Sequence, residues 1–270
     1  MILKIINKIL HDLAELVPNK YSLTLLKLKF NILKKRFKTR TIRILGFKVK
    51  YTDTVSVYFE FKDIFKNKIY HFETKKRDPL IIDAGSCIGM SIIYFKHIYP
   101  DSKIIGFEPD GNIYNILQSN IKANDLPNVE TINAALSSSD GFLEFYPDGT
   151  DGGSLFHENE NAVIKVPSLR LSKFIDRPID FLKMNIEGAE TEVLYEIEDN
   201  LNLINEMVIE YHSFDNSKQK LHEILELLNR NGFMYLINDF DTGTNPNVKA
   251  PFRLNKDTKY FLLIYAKKCN

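Results

Sequence analysis

The chain carries, at residues 80–89, the stretch Leu80-Ile81-Ile82-Asp83-Ala84-Gly85-Ser86-Cys87-Ile88-Gly89. This short apolar run ends in an acid, passes through two closely spaced glycines and enters a helical pattern at Ile88. The order predicts a β-strand, a tight turn and a helix N-terminus. Glycine lets the backbone approach a ligand closely, and a helix N-terminus offers free N–H groups. The stretch therefore predicts a nucleotide-type binding site.

A second acid lies at the tip of the next predicted strand. Glu108 follows Gly89 by nineteen residues, within the segment Lys103-Ile104-Ile105-Gly106-Phe107-Glu108-Pro109-Asp110. An acid at this place in a βαβ unit is positioned to bind both hydroxyls of a ribose. The predicted cofactor-binding set in these two segments is Asp83, Gly85, Ser86, Gly89 and Glu108.

Two classes of cofactor share this geometry. Dinucleotides usually need the third glycine of G-x-G-x-x-G, which the loop Gly-Ser-Cys-Ile-Gly lacks. Asp83, directly before the turn, would repel a phosphate and attract a cation. S-adenosylmethionine (SAM) has an ammonium, a sulfonium and a ribose but no phosphate. The set favours SAM over a nicotinamide dinucleotide, and a plain βα turn without a ligand is the third alternative.

From residue 80 onward, strand patterns alternate with helix patterns. Such alternation predicts an α/β fold with a parallel sheet and right-handed crossovers. A last strand at 260–266 suits an antiparallel insertion. The predicted strands of the sheet are 80–84, 103–108, 129–132, 180–186, 206–212 and 233–238. Helices are predicted at 88–99, at 112–124, from the segment 187–190 to about residue 196, and at 217–231, and two interrupting strands at 141–146 and 163–169.

Loops near the predicted ligand site supply further candidates. Asn133 and Ala134 follow the third strand, where small residues leave room for an adenine ring. The glycine-rich segment 147–154 either closes over a ligand or is an ordinary hairpin tip. Tyr58 and Tyr70, upstream of the glycine turn, are candidates for a lid.

Charge is distributed unevenly along the chain. The formal net charge is +1, yet residues 1–50 hold thirteen basic and two acidic residues, which leaves the remainder at −10. We expect residues 1–50 to form a basic helical arm and the start of a β-rich cap, and residues 51–270 to form the ligand-binding domain. Through residues 1–40 the arm either packs on the domain or a second subunit, or contacts an anionic membrane surface.

The arm and the cap have their own local patterns. The spacing of apolar residues in 2–17 predicts an amphipathic helix, and residues 21–36 are a second apolar and basic stretch. Residues 41–72 read as β-rich: a hairpin is predicted around Gly46, and residues 55–60 either continue it or open a helix.

Cysteine usage and hydropathy bear on localisation. Cys87 and Cys269 do not make a disulfide framework, and no apolar run reaches the length of a membrane span. The first residues lack the pattern of a signal peptide. We expect a cytoplasmic protein, either free or peripheral at the inner face of the membrane.

Polar residues mark the ends of two later strands. Lys183, Asn185 and Glu187 share one strand face because side chains alternate, and Glu210 and His212 repeat this arrangement on the next strand. Ligands of open α/β sheets bind at the carboxyl ends of the strands, so these side chains are expected to converge beside the glycine turn. The predicted catalytic set is His212, Lys183, Glu187, Glu210 and Asn185.

The chain resembles the FkbM family of SAM-dependent methyltransferases over about residues 53–240. The motifs that carry the resemblance are 80–89, Gly-Phe-Glu-Pro-Asp at 106–110, Leu-Lys-Met-Asn-Ile-Glu-Gly-Ala-Glu at 182–190 and Ile-Glu-Tyr-His at 209–212. The resemblance implies a class I methyltransferase (Rossmann-like) fold, with a seven-stranded sheet, helices on both faces and an antiparallel last strand. It also implies O-methylation, commonly of sugars, glycans or polyketide-type natural products.

The resemblance assigns roles position by position. It implies that Asp83, Gly85 and Glu108 bind SAM. The element Lys-x-Asp-x-Glu-Gly-x-Glu maps to Lys183, Asn185, Glu187, Gly188 and Glu190. The family usually has Asp where this chain has Asn185, and an amide is not a base and is a weaker metal ligand. A bound Mg²⁺ is therefore not predicted.

Transfer of a methyl group to a hydroxyl requires that the hydroxyl lose its proton. His212 is the first candidate for this base, since an ordinary imidazole has a pKa near ~6.5. Glu187 or Glu210 would orient it or bind acceptor hydroxyls, and Lys183 would anchor the carboxylates or offset oxyanion charge. The expected partner is a small-molecule or glycan acceptor. Nucleic acid is not expected, because the body is acidic.

Two rival functions remain open at this point. One is a nicotinamide-dependent oxidoreductase. The other is a non-catalytic, methyltransferase-like scaffold in glycan biosynthesis, which Asn185 keeps open.

Overall fold

The computed structural model describes residues 20–32, 37–147, 163–213, 218–238 and 260–269. Within these ranges no helix combines the length and the apolarity needed to cross a bilayer. The strands are β1 (Arg40–Ile44), β2 (Phe47–Tyr51), β3 (Leu80–Ala84), β4 (Lys103–Phe107), β5 (Val129–Ile132), β6 (Ala135–Leu136), β7 (Gly141–Phe145), β8 (Ile164–Leu169), β9 (Ile179–Met184), β10 (Ile204–Ser213), β11 (Phe233–Asn238) and β12 (Tyr260–Lys268). The helices are α1 (Lys20–Asn31), α2 (Thr54–Glu60), α3 (Met90–Ile98), α4 (Gly111–Ala123), α5 (Glu190–Glu196) and α6 (Leu221–Arg230), with a π-helix at Phe61–Lys66 and 3₁₀ helices at Leu171–Phe174 and Glu198–Leu203.

A seven-stranded sheet forms the centre of the fold, in the order β5-β4-β3-β9-β10-β12-β11. Neighbouring strands from β5 to β10 are parallel. β12 pairs antiparallel with both β10 and β11. The predicted α/β class and the antiparallel last strand are confirmed, and the sheet has the class I methyltransferase arrangement that the resemblance implied.

Both faces of the sheet are covered by helices. Side chains alternate along each strand, so Ile81 and Phe181 enter one apolar core while Ile82 and Leu182 enter the other. α3 and α4 supply the first core, and α5 and α6 supply the second. Every residue of β9 is buried, as expected for a parallel strand covered on both faces.

The predicted hairpin at residues 41–50 is confirmed and docks on α4. The side-chain amide of Asn120 accepts from Lys50 N–H at 2.6 Å and donates to the Lys50 carbonyl at 2.9 Å. Leu25 and Leu28 of α1 are buried in the same core as α2. The burial of Leu25 and Leu28 favours the alternative in which the described part of the arm packs on the domain. The predicted helix at 2–17 lies outside the described residues.

The β-rich prediction for residues 41–72 is wrong beyond residue 51. Residues 54–66 are helical, which decides the alternative left open at 55–60. Asp53 caps this helix: its carboxylate accepts from Val55 N–H and Ser56 N–H at 3.4 Å each, and from Ser56 Oγ at 3.0 Å. A side-chain cap supplies acceptors to the first helical N–H groups, so the chain turns into a helix here.

A small second sheet has the order β6-β8-β7. It contains the two strands predicted at 141–146 and 163–169, which pair antiparallel. The predicted closing loop at 147–154 lies outside the described residues from residue 148 onward.

Candidate active site

The glycine turn after β3 packs directly against the turn after β9. Gly85 has a φ of +88°, and a Cβ atom on it would lie 1.8 Å from the backbone oxygen of Asn185. Asn185 N–H donates to the Ala84 carbonyl at 2.9 Å. Only glycine fits at residue 85, and the carboxyl ends of the two strands are held in contact.

The same turn is tied to the tip of β4. Ser86 N–H donates to the Phe107 carbonyl at 2.7 Å, and Cys87 N–H donates to Glu108 Oε2 at 3.0 Å. Gly89, with a φ of +92°, precedes the first residue of α3. Gly85, Gly89 and Glu108 therefore lie around one ligand-side turn, as the sequence predicts.

Ser86 stabilises the turn from within. Its hydroxyl donates to the Asp83 carbonyl at 3.1 Å, and a Cβ atom on Gly106 would lie 2.6 Å from Ser86 Oγ. The cofactor contact predicted for Ser86 stays a prediction. Sequence reasoning missed the role of Gly106, although a glycine inside an apolar strand is a recognised sign of close packing.

Asp83 lies beneath the glycine turn, out of contact with solvent. It is completely buried, Ser91 Oγ donates to its Oδ2 at 2.5 Å, and Lys183 Nζ lies 3.2 Å from its Oδ1. The sequence predicts that Asp83 attracts a cationic cofactor directly. The structure does not support this prediction, because the Lys183 ammonium already compensates the Asp83 carboxylate. Lys183 also donates to the Gly85 carbonyl, and its predicted anchoring of the catalytic carboxylates stays a prediction. Its oxyanion role stays a prediction.

Glu108 is a buried carboxyl with acceptor capacity left. It accepts from Cys87 N–H and, at 2.8 Å, from Asp110 N–H. Burial raises the pKa of Glu108 to about 8, against the opposing effect of these two donors. Each carboxylate oxygen can accept more than one hydrogen bond, and ribose hydroxyls would stabilise the charged form. The site therefore fits a cofactor that carries a ribose.

Asn133 and Ala134 follow β5, beside Glu108. The Asn133 amide donates to the carbonyl oxygens of Glu108 at 2.8 Å and Pro109 at 3.0 Å, so it holds the turn that carries the acid. Ala134 is buried. The adenine contact predicted for these two residues stays a prediction.

A hydrogen-bonded chain surrounds Glu210 at the end of β10. The Tyr70 hydroxyl donates to Glu210 Oε1, and the Asn185 amide donates to Glu210 Oε2 at 3.0 Å. Burial raises the pKa of Glu210 and raises that of Tyr70 well above its ordinary range. Tyr70 is buried, so it is a structural part of this cluster rather than an exposed lid. The other lid candidate, Tyr58, contacts Phe59 edge-on.

His212 is held between two carboxylates. Its Nδ1 lies 3.1 Å from Glu190 Oε1 and its Nε2 lies 3.4 Å from Glu187 Oε2. Burial by itself would lower the pKa of His212, but Glu187, Glu190 and Glu210 outweigh it and raise the pKa to about 10. The sequence predicts an ordinary imidazole pKa for His212 as a base. The structure corrects this prediction, because the raised pKa keeps the ring in its imidazolium form at neutral pH.

The turn after β9 presents Glu187 to this imidazolium. Glu187 has a φ of +54°, a backbone conformation that residues other than glycine rarely adopt. The Glu190 carboxylate accepts from Ile186 N–H at 3.2 Å and Gly188 N–H at 3.0 Å, which stabilises the turn. Strained backbone of this kind is concentrated at functional sites.

The structure thus brings the five predicted catalytic residues together beside the glycine turn. Sequence reasoning did not find Ser91, the partner of Asp83, and did not place Tyr70 against Glu210. Ser91 lies two residues after Gly89, in the first turn of α3. Its nearness to the glycine motif was the one sequence signal that could have identified it. Within the described ranges, no group of three or more His, Cys, Asp or Glu side chains is arranged to hold a metal ion.

Comparison with known proteins identifies the family. Residues 83–235 match the Methyltransferase FkbM domain, from Asp83 in β3 to Tyr235 in β11. The chain belongs to the FkbM methyltransferase family. The match contains both the glycine turn and the cluster around Glu210 and His212, whereas Tyr70 lies before it.

Three relatives of this FkbM protein are methyltransferases by name. It is 29% identical over 210 residues to Methyltransferase sdnD of Sordaria araneosa, which covers 64% of this chain and 81% of the relative. It is 30% identical over 200 residues to Methyltransferase 1 of Beauveria bassiana, covering 60% and 80% of the two chains. It is 24% identical over 172 residues to 2-O-methyltransferase NoeI of Sinorhizobium fredii, covering 55% and 68%.

The family and these relatives identify the enzyme as a SAM-dependent methyltransferase. The nicotinamide-dependent oxidoreductase is therefore set aside.

Proposed function

We propose that this FkbM methyltransferase transfers the methyl group of SAM to a hydroxyl of a sugar, a glycan or a related natural product. The observation that carries the proposal is the pair of Glu187 and His212 beside the glycine turn. This pair combines a carboxylate that is 17% exposed with a buried imidazolium 3.4 Å away. The imidazolium holds this carboxylate in place and keeps it ionised, and an ionised carboxylate can accept a hydrogen bond from a hydroxyl and take its proton as a general base.

When bound, SAM supplies an electrophilic methyl group. The chain must hold the acceptor oxygen in line with that group and remove the hydroxyl proton. Because the three neighbouring carboxylates raise the pKa of His212 well above neutral pH, its ring is mostly protonated at pH 7 and is poorly suited to take a proton. We therefore assign proton removal to Glu187, with His212 as the positioning residue that orients it.

A second polar pair, Glu210 near the end of β10 and Asn185 directly after β9, lies beside the glycine turn. The two residues hold each other through the 3.0 Å hydrogen bond, and Tyr70 fixes the second oxygen of Glu210. Polar groups that are fixed in this way can hold a bound ligand without reorganising. One relative is named a 2-O-methyltransferase, which supports a hydroxyl oxygen as the methyl acceptor.

The experiment is turnover with SAM and a panel of saccharide and natural-product acceptors, read by mass spectrometry. We expect one methyl group to be added to a hydroxyl-bearing acceptor. Methylation at nitrogen or carbon alone would refute the proposal. If SAM bound but no acceptor in a broad panel were methylated, the non-catalytic scaffold would be favoured instead.

The two assignments of the base differ in their pH dependence. If Glu187 takes the proton, Glu187→Gln abolishes turnover, and wild-type turnover is level between about pH 7 and 9. If His212 takes the proton, turnover rises with pH towards about 10, where the imidazolium deprotonates. In both cases His212→Ala is expected to lower turnover by at least ~100-fold while SAM still binds.

A further inference from the structure

The amino-acid part of SAM carries an ammonium group, and a buried ammonium needs hydrogen-bond acceptors. Asp83, the acid nearest the glycine turn, is completely buried, and its charge is already compensated by Lys183, whose Nζ lies 3.2 Å from Oδ1. The Gly85 carbonyl already accepts one hydrogen bond, from Lys183. An ammonium group has three donors, so it needs acceptors besides this carbonyl.

Asn185 lies at the right place. Its backbone oxygen contacts Gly85 so closely that a Cβ atom on that residue would come within 1.8 Å of it. Its side chain begins at the carboxyl end of β9, between the glycine turn and Glu210. The side-chain amide is thus next to the strand tip where the turn receives its ligand.

The orientation of the Asn185 amide is determined by its neighbour. Glu210 Oε2 accepts from the Asn185 amide nitrogen at 3.0 Å, and Tyr70 holds the other oxygen of Glu210. Because a carboxylate only accepts hydrogen bonds, the nitrogen of the amide must face Glu210 and the oxygen must face away. The hydrogen bonds from Tyr70 and Asn185 to Glu210 therefore fix the amide so that its oxygen points away from Glu210.

The presented oxygen is buried and unsatisfied. Asn185 Oδ1 is inaccessible to solvent and has no hydrogen-bond partner among the residues that the structure describes. A buried amide oxygen without a donor is costly and is rarely retained without a purpose. A donor brought by a ligand would satisfy it.

We propose that Asn185 Oδ1 accepts a hydrogen bond from the ammonium group of SAM, and that Glu210 and Tyr70 act as positioning residues for this contact. Asn185 would then be a cofactor-binding residue rather than a base or a metal ligand. The proposal requires that the chain binds SAM, but it does not depend on which acceptor is methylated. It can therefore fail while the proposed acceptor class stands.

The test compares two ligands that differ in the amino-acid part. S-adenosylhomocysteine carries the ammonium, whereas 5′-methylthioadenosine lacks the amino-acid group and keeps the nucleoside. Calorimetry on the full chain would measure the affinity for both ligands in the wild type, in Asn185→Leu and in the double variant Asn185→Asp/Glu210→Gln. A hydrogen bond to a charged group corresponds to a change in affinity of about tenfold or more.

We expect Asn185→Leu to weaken S-adenosylhomocysteine by at least about tenfold and to leave 5′-methylthioadenosine within about twofold. The double variant Asn185→Asp/Glu210→Gln keeps an oxygen at residue 185 and a donor facing it at residue 210, and is expected to bind S-adenosylhomocysteine within about threefold of the wild type. Equal losses for the two ligands in Asn185→Leu, or no loss for either, would overturn the proposal. So would a double variant as weak as the Leu variant.

Discussion

Replacing Gly85 with alanine tests the close contact between the turns after β3 and β9. The new Cβ atom would lie 1.8 Å from the backbone oxygen of Asn185 and 2.9 Å from its carbonyl carbon. A tolerable contact requires a shift of more than about 1 Å, which close-packed interiors resist. The φ of +88° adds a left-handed conformation that costs an alanine about 1–2 kcal/mol.

Displacing Asn185 would also break hydrogen bonds. Its N–H bond to the Ala84 carbonyl contributes about 1 kcal/mol, and its amide bond to the Glu210 carboxylate about 1.5–3 kcal/mol. With the backbone strain, the expected loss for Gly85→Ala is about 4–6 kcal/mol. This is a large fraction of the roughly 5–15 kcal/mol that stabilises an ordinary domain.

Gly46 offers a matched control for this variant. Its φ is +98°, yet a Cβ atom on it would meet nothing within 4 Å. Gly46→Ala should therefore cost only the backbone strain of about 1–2 kcal/mol. Urea unfolding followed by circular dichroism would give both losses. If the two variants lost stability equally, to within about 1 kcal/mol, the close approach at Gly85 would be disproved.

Three further predictions follow from charges in the site. Because the pKa of Glu108 is raised to about 8 and ribose hydroxyls favour its ionised form, affinity for S-adenosylhomocysteine should fall by up to ~tenfold per pH unit below pH 8. Calorimetry should show this slope, and a Glu108→Gln variant that kept it would exclude Glu108. The raised pKa of His212 stabilises the fold fully below about pH 6.5, and this stabilisation is lost as pH rises to about 10. The difference in unfolding free energy between wild type and His212→Gln should shrink over that range, and a constant difference would contradict the ion pairs. Lys183→Met leaves Asp83 buried without a counter-charge and should cost about 3–5 kcal/mol in urea unfolding. Adding Asp83→Asn should recover much of it, and no recovery would argue against the pair.

Features that depend on short-range sequence were predictable. The glycine turn, the placement of Glu108 and the convergence of the β9 and β10 tips all follow from periodicity and from the geometry of parallel sheets. The helix at residues 54–60, one of the two alternatives left open for residues 55–60, had a local signal in Asp53, a typical N-cap residue directly before it.

Features that depend on distant partners were not predictable in the same way. Asp83 looks like a free acid beside a turn until Lys183, a hundred residues later, is placed against it. The pKa of His212 depends on two carboxylates from the turn after another strand. Charge compensation of this kind is set by side-chain geometry that a motif does not contain.

The position of β12 has a consequence for how the enzyme is made. β12 lies between β10 and β11, although it follows both in the chain. During synthesis, one edge of β10 stays without a hydrogen-bonded neighbour until residues 260–268 have left the ribosome. Exposed strand edges of this kind promote aggregation and mispairing. His212 pairs with Phe261 of β12, so the surroundings of the proposed Glu187–His212 pair are completed only at this late step. Nascent chains stalled before residue 260 should be targets for chaperones.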